Sequence, residues 1–571
     1  MLDPHAISSA WLADFTSAFQ ALDADAVAAN FTSHGWLRDS LTFTWDHRSL
    51  HGPQKIAAFL SEGFSSTTIT NIRLDTDQYF SPKQSLLPPN TETVEFGFLY
   101  ETAIAHGRAF VRLIDSSVGW KALLVGMIAT DLKGFEEPRD TFRVTSAPSS
   151  MAWGDSYAAW KDTVESDPTV LIGKRHRALF CALADFQIVG GGQNGLQVAA
   201  RFKQMGIPTL LIERNERIGD NWRHRYDSLT LHTIKEQHQL LYQPFPSNWP
   251  KYSPRDKLAN WLEVYAISQD LPVWTNSRIV NQPVYNSGDQ RWSVVVDRHG
   301  HHTQLRPAHI VMATGVLGQP YIPAFPCRED YTGLVLHSTQ YTNAKSFTGK
   351  RVVVVGAGNS SIDICQDAVL AQAESVTMIQ RSATCVVSIQ NVGKRLAHTW
   401  PAGVPTEACD IKVAATPLGF VRETMTRNQD AQWAEEKELH EKLRRGGLKL
   451  TLGPEGQGQL LLVYERYGGQ DKGGADLIAS GKIKIKQGVE PIRYSPNGLV
   501  LSGNSELSAD VIILATGYHN MRETLKEIFG PEIIARTSEI HGLDDEGELR
   551  GSYRPTGHPA VRGRTYRRIS T

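Results

Sequence analysis

Between Phe186 and Glu213 the chain reads FQIVGGGQNGLQVAARFKQMGIPTLLIE, and few folds accommodate such a run. An apolar stretch, Phe186 to Val189, reads as a buried strand and feeds Gly190-x-Gly192-x-x-Gly195. Leu196, Val198, Ala199, Phe202 and Met205 then recur at helical spacing, and Gly206 stops the helix. Thr209 to Ile212 makes a second apolar strand that closes on Glu213. This is a βαβ unit carrying a dinucleotide fingerprint. Gly190 permits the tight turn, Gly192 lets backbone approach a pyrophosphate, and Gly195 lets helix pack on strand. The N–H groups and dipole at the helix N-terminus favour phosphate, and Gln193 in the loop is a candidate cofactor contact. Glu213, about 20 residues on, is placed for a pair of ribose hydroxyls, with Arg214 beside it.

A second copy follows. Arg351 to Val355 reads RVVVV and leads into Gly356-Ala-Gly358-Asn359-Ser360-Ser361, an apolar helix, and a strand, Val376 to Ile379, ending at Gln380-Arg381-Ser382. Arg381 stands where the first copy has an acid. A carboxylate there repels a 2′-phosphate, whereas a guanidinium pairs with it bidentately. The first fold is therefore predicted to take an adenine dinucleotide with a free ribose, and the second to take NADP. Two further strands, His309 to Met312 and Val511 to Leu514, each run into an Ala-Thr-Gly turn. Gly315, Thr516 and Gly517 in those turns are candidate residues at the cofactor edge.

At 571 residues the chain exceeds one core, and two to four domains are expected. A formal net charge of -1 gives no electrostatic case for nucleic acid. No apolar run approaches the roughly 20 residues of a membrane helix, and MLDPHAISSAWLADF carries no secretory pattern, so a cytoplasmic protein is expected. The five cysteines are scattered without C-x-x-C, which argues against a disulfide framework and against a metal site.

Residues 1–140 form a unit of their own in this reading. A helix carries Trp11, Leu12, Phe15 and Phe19 on one face, and strand-like segments follow, an α+β order. This order resembles the NTF2-like cone fold. Trp36, Arg38, Asp39 and Trp45 could line a pocket or serve as core and rim. Residues 141–180 read as a linker. A rival strand start, Asp167 to Gly173, is set aside for the approach that abuts Gly190. The fold class is then α/β: two Rossmann-like dinucleotide domains, one inserted in the other, preceded by the small α+β domain. The first spans 181–335 and 490–571, and the second 336–489.

With both folds placed, the segment between them becomes informative. Tyr331-x-Gly333-x-x-x-His337-x-x-x-Tyr341 resembles the F-x-G-x-x-x-H-x-x-x-(Y/W) signature of class B flavin-dependent monooxygenases, with Tyr331 in place of Phe. Gly219-Asp-Asn221-Trp222-Arg-His-Arg-Tyr226-Asp-Ser-Leu-Thr-Leu-His232 resembles the YUCCA-like and fungal branches, some of which carry an NTF2-like N-terminal domain. The resemblance implies FAD on the first fold and NADPH on the second. It implies O2 as co-substrate, a flavin C4a-hydroperoxide shielded by NADP+, and transfer of one oxygen to a small organic molecule. It makes Asn221, Trp222, Gly333 and His337 candidate cofactor contacts. It also puts His232 where classical relatives have an Asn near the flavin, a catalytic and cofactor-binding candidate. His337 reads as a hinge or cofactor-orienting residue, or as a structural histidine. Baeyer–Villiger, N- or S-oxygenation and oxidative decarboxylation stay open.

One departure stands out. Relatives finish in an amphipathic helix facing the flavin, whereas here the chain reads RPTGHPAVRGRTYRRIST. Loss of that cover exposes a flavin to water and uncouples NADPH use from oxygenation. The competing reading is a cofactor-binding pseudo-enzyme whose N-terminal domain drives association; a homodimer through that domain is the oligomeric expectation. A flavin disulfide reductase is excluded by the missing Cys pair.

Overall fold

The computed structural model describes residues 2–87, 90–137, 152–166, 186–315, 317–458, 469–540, 542–557 and 562–564. Its N-terminal unit begins with the helix Pro4–Gln20. Asp3 accepts the His5 and Ala6 N–H groups there, and Pro4 takes the first turn, where no amide partner is needed. The helices Ala24–Ala28 and Pro53–Gly63 join it on one face of a seven-stranded mixed sheet. Trp11, Phe15, Phe19, Phe43, Phe59, Phe96 and Phe98 fill the space between helices and sheet.

The strand Phe31–Ser40 has two different faces, as its period of two requires. Leu37 and Asp39 point to the helix side. Asp39 accepts the Thr42, Phe43 and Thr44 N–H groups and so organises the turn that follows. Burial pushes its pKa up to about 6, against those hydrogen bonds. Trp36 and Arg38 point the other way, onto the helices Thr406–Ala415 and Leu418–Arg427 from a distant part of the chain. A Cβ on Gly126 would collide with Ala415, so glycine is what lets sheet and helix meet this closely. Trp36 and Arg38 are thus docking residues, Asp39 is a turn organiser, and Trp45 is exposed.

Two parallel sheets follow. The first has the order Val273–Trp274, Thr209–Ile212, Phe186–Val189, His309–Met312. The rival start at 167–173 lies outside the described residues. The second has the order Leu334–His337, Val511–Leu514, Arg351–Val355, Ser375–Gln380, Ile483–Gln487. The strand Val511–Leu514 is therefore an inner strand of the second sheet, whereas the sequence places residues 490–571 in the first fold. VIIL and HIVM are equivalent as apolar strands, and only hydrogen bonding decides which sheet each joins. The chain returns to the first fold at the helix Met521–Phe529, where Phe529 packs edge-on against Trp292 at 5.6 Å. Val164, from the helix Trp153–Ser166, joins the same cluster, so part of the expected linker is a packed element. The hairpin Arg291–Arg298 and His301–Leu305 forms as its turn predicts. Among the described residues no helix is long and apolar enough to cross a membrane.

Candidate functional site

The two glycine loops are built alike. Gly190 has φ +112°, and its N–H donates to Ile212 O at 2.8 Å. Gly356 has φ +125°, and its N–H donates to Ile379 O at 3.0 Å. In the first fold Ala313 N–H donates to Val189 O at 2.8 Å; in the second Ala515 N–H donates to Val355 O at 2.9 Å. A Cβ on Gly190 would sit 2.5 Å from Ala313 O, and one on Gly356 would collide with Ala515 O. Each first glycine is therefore fixed by left-handed backbone and by the Ala-Thr-Gly turn packed over it. Gly315 and Gly517, at the ends of those turns, have φ +92° and +85° with open space where a side chain would be.

Beyond each first glycine the loop opens. Gly192 and Gly358 are the N-caps of the helices Gln193–Gln204 and Asn359–Leu370, and no side-chain hydrogen bond caps either helix among the described residues. A Cβ on Gly192 would meet only Asn221 Nδ2 at 3.3 Å, and one on Gly358 would meet nothing within 4 Å. Two uncapped helix N-termini with open cradles fit the diphosphates of two dinucleotides.

Glu213 is buried at the end of its strand. Its Oε2 accepts Gly191 N–H at 2.6 Å, and its Oε1 accepts Asn215 N–H at 2.9 Å and Nδ2 at 2.7 Å. A carboxylate has about four acceptor positions, so one remains open. Gln193 Oε1 accepts Trp222 Nε1–H at 3.4 Å. Gly195 is buried in the first helical turn, and Arg214 points to solvent.

In the second fold Asn359 Oδ1 accepts Gln470 N–H at 2.7 Å, which ties the loop to the strand Gly469–Asp471. Ser360 is half-buried beside it. Ser361 is 1% exposed, and its Oγ has no hydrogen-bond partner among the described residues, an orphan hydroxyl beneath the loop. Arg381 has 76% of its side chain exposed, with Glu490 at 3.8 Å, and Ser382 is exposed next to it. His337 is buried with Nδ1 at 2.9 Å from Thr339 Oγ1, and its ring meets Tyr518 edge-on at 5.9 Å. Burial lowers its pKa, against the opposing pull of the Gly517 backbone. Thr516 Oγ1 donates to Tyr321 O at 2.5 Å.

Gly333 stands apart from the other candidates. It immediately precedes the strand Leu334–His337, at the end of the sheet away from the second glycine loop, a separation of about 13 Å along the strand direction. A Cβ there would meet the Tyr331 ring and sit 2.7 Å from Asp510 O. Its task is to make room for Tyr331, whose hydroxyl donates to Ala509 O at 3.1 Å. Burial pushes the pKa of that phenol up to about 12.

His232 sits at the seam between the folds, its Nε2 3.8 Å from Asp363 Oδ2. Asp363 also accepts the Tyr226 hydroxyl at 2.6 Å and has Lys472 Nζ at 3.8 Å. Asp363, Tyr226 and Lys472 escaped the sequence reading. A signal existed, because Asp363 and Asp367 stand four residues apart and so form an acidic pair on one face of the helix. A cleft of about 770 Å³ lies elsewhere, between the N-terminal sheet and the helix Leu418–Arg427. It is lined by Trp36, His51 and Glu423 among others and includes no residue of either glycine loop.

Residues 185–529 match the family described as FMO-like, flavin-binding monooxygenase-like. The chain is 30% identical over 377 residues to the probable indole-3-pyruvate monooxygenase YUCCA4 of Arabidopsis thaliana, covering 63% of this chain and 83% of that protein. It is 31% identical over 372 residues to YUCCA3 of the same plant, covering 63% and 80%. Among solved structures, a flavin-containing monooxygenase from Stenotrophomonas maltophilia aligns at 20% identity with a TM-score of 0.44, over 66% of this chain and 88% of that one. With the family match running over more than half its length, the chain belongs to the flavin-binding monooxygenase-like family, whose members are enzymes using FAD and NADPH.

Proposed function

We propose that this chain passes one oxygen atom from O2 to a small organic substrate, with FAD on the first glycine loop and NADPH on the second. The observation that carries this is the matched pair of loops, each with its first glycine locked and its second open. Gly192, Gln193 and the helix they begin hold the FAD diphosphate, and the free acceptor position of Glu213 takes a ribose hydroxyl. Gly358, Asn359, Ser360 and the Ser361 hydroxyl hold the NADPH diphosphate. Bound flavin supplies the redox chemistry, taking hydride from NADPH and activating O2. The protein's share is to orient the two cofactors and to keep water from the seam where His232 lies. His232 faces the substrate there and holds a hydrogen bond or a proton at its imidazole. The two plant relatives named above are described as probable indole-3-pyruvate monooxygenases, so 2-oxo acids head the substrate screen. We assign the N-terminal unit to the NTF2-like cone fold, on the strength of three helices laid on one face of a seven-stranded sheet. Its interior is filled with aromatic rings, so we give it a docking role and no ligand.

The test is direct. The purified chain is expected to be yellow, to bleach faster with NADPH than with NADH in air, and to convert at least one 2-oxo acid, ketone, amine or sulfide. A protein that stays colourless with added FAD overturns the proposal and favours the pseudo-enzyme.

Arg381→Ala separates the nucleotides. Charge-assisted hydrogen bonds contribute about 1.5–3 kcal/mol, so NADPH should bind roughly tenfold or more weakly while NADH changes little. Titration of both nucleotides checks this, and equal losses for the two would remove the 2′-phosphate contact.

A further inference from the structure

Four side chains at alternate positions of one segment, Tyr226, Ser228, Thr230 and His232, reach across the seam to the second fold. Tyr226 donates to Asp363 at 2.6 Å and Ser228 to Asp367 at 2.8 Å. Lys472 donates to Thr230 Oγ1 at 3.0 Å, and His232 Nε2 lies 3.8 Å from Asp363. Between them Leu231 turns back into the first-fold core. Asp363 and Asp367 stand one turn apart on the helix Asn359–Leu370, so they share a face. Tyr341 adds a hydrogen bond to Asp367 at 3.0 Å. Burial acts to raise the pKa of Asp363, but its His232, Lys472 and Tyr226 contacts outweigh that and hold it below the ordinary range. Asp367 is raised by burial, with the Asp363 charge adding to the effect.

The two ends of this segment touch different loops. At its start Trp222 bonds Gln193 on the first glycine loop, and Asn221 lies beside Gly192. At its far end His232 meets the helix whose N-terminus is the second glycine loop. One short stretch of chain therefore spans both nucleotide cradles, and Asp363 is where it is fastened.

We infer that Asp363 is a positioning residue that sets His232 against the first fold according to what occupies the second. A dinucleotide seated at Gly358 steadies the helix carrying Asp363, and through Asp363 it steadies His232 and the segment back to Trp222. This rests on the cofactor assignment above.

The experiment uses the full-length protein loaded with FAD. NADP+ is titrated in, with calorimetry reading its affinity and visible absorbance reading the flavin. Asp363→Asn keeps size and shape but removes the charge facing His232 and Lys472. It is expected to retain FAD and to bind NADP+ within about threefold of wild type. The flavin difference spectrum induced by NADP+ should fall to less than half, and oxygenated product per NADPH consumed should fall with it. Should Asp363→Asn fail to hold FAD, Tyr226→Phe removes one hydroxyl from the same carboxylate and should shift the same readouts by less. An unchanged difference spectrum and unchanged coupling in a folded variant overturn the inference. So does a wild-type protein that binds both cofactors with no flavin response to NADP+, a result that leaves the proposed function intact. Wild-type protein that takes up no FAD overturns the proposed function instead.

Discussion

Gly192→Val should give a protein that folds and stays colourless. The backbone of Gly192, φ -81° and ψ -178°, is extended, a conformation valine adopts readily. Its new Cβ would meet only the end of the Asn221 side chain, at 3.3 Å, which can turn aside. The fold therefore loses little. The valine methyls would instead occupy the open side of the loop, where the helix N-terminus presents its N–H groups. Losing two charge-assisted hydrogen bonds at about 1.5–3 kcal/mol each weakens FAD roughly a hundredfold to ten thousandfold. Absorbance near 450 nm per protein, with far-UV circular dichroism as the folding check, decides it. A yellow, folded variant would move the FAD site elsewhere. Gly190 gives no such separation, because its positive φ and the Ala313 carbonyl make any side chain there a folding defect as well.

Arg38→Ala should release the N-terminal unit. Arg38 donates to Ala414 O at 2.8 Å and Thr416 O at 2.9 Å, and pairs with Glu548 at 2.7 Å. Both charged side chains are under 5% exposed. Alanine would leave Glu548 buried without its cation and two carbonyls without a donor, a loss of about 3–5 kcal/mol. That corresponds to a fall of roughly two to four orders of magnitude in the docked population. Hydrogen exchange in the helix Thr406–Ala415 reports it directly. Removing the charges in pairs, Arg38→Met with Glu548→Leu, should restore most of the loss, because neither charge is then stranded. Acid should loosen the neighbouring contact of Glu546 with Arg48. Burial acts to raise the pKa of Glu546, but hydrogen bonds from Arg48, the Ser49 N–H and Arg554 outweigh it and hold it at about 2. A carboxylate held that low contributes fully above its ordinary value of about 4.5, and its contribution is lost as pH falls towards 2.

Both glycine loops were legible because every step of a βαβ turn is local. The apolar run, the three glycines and the terminal acid or arginine all lie within about 30 residues. The helix bearing Trp11, Leu12, Phe15 and Phe19 was legible for the same reason, its period being written in one stretch. Pairings between distant segments were not. Val511–Leu514 looks like any buried strand until it pairs with Arg351–Val355. The docking of Arg38 was not legible, because its acceptor on the helix Thr406–Ala415 lies more than 370 residues away, and Trp36, which lines the cleft, packs beside the next helix, almost as far along the chain. Gly333 was carried in on a motif, and a motif does not say which end of a strand its glycine occupies. The alternation of Tyr226, Ser228, Thr230 and His232 was visible in the letters, but its meaning depended on two aspartates of another fold.

Arg38 and Glu548 are 510 positions apart, and that spacing sets a timetable for synthesis. At roughly 5–20 residues per second, the guanidinium leaves the ribosome some tens of seconds before its carboxylate exists. The helix that supplies its other two acceptors comes nearly as late. Until the helices bearing Ala415 and Phe420 emerge, the outer face of the N-terminal sheet, with Trp36, Phe110 and Leu124, has nothing to cover it. The aromatic core on the other face can close early from its own residues, whereas docking waits for almost the whole polypeptide. A nascent chain of this protein therefore carries a finished first unit with one sticky side, the stretch of its life in which a chaperone has most to protect.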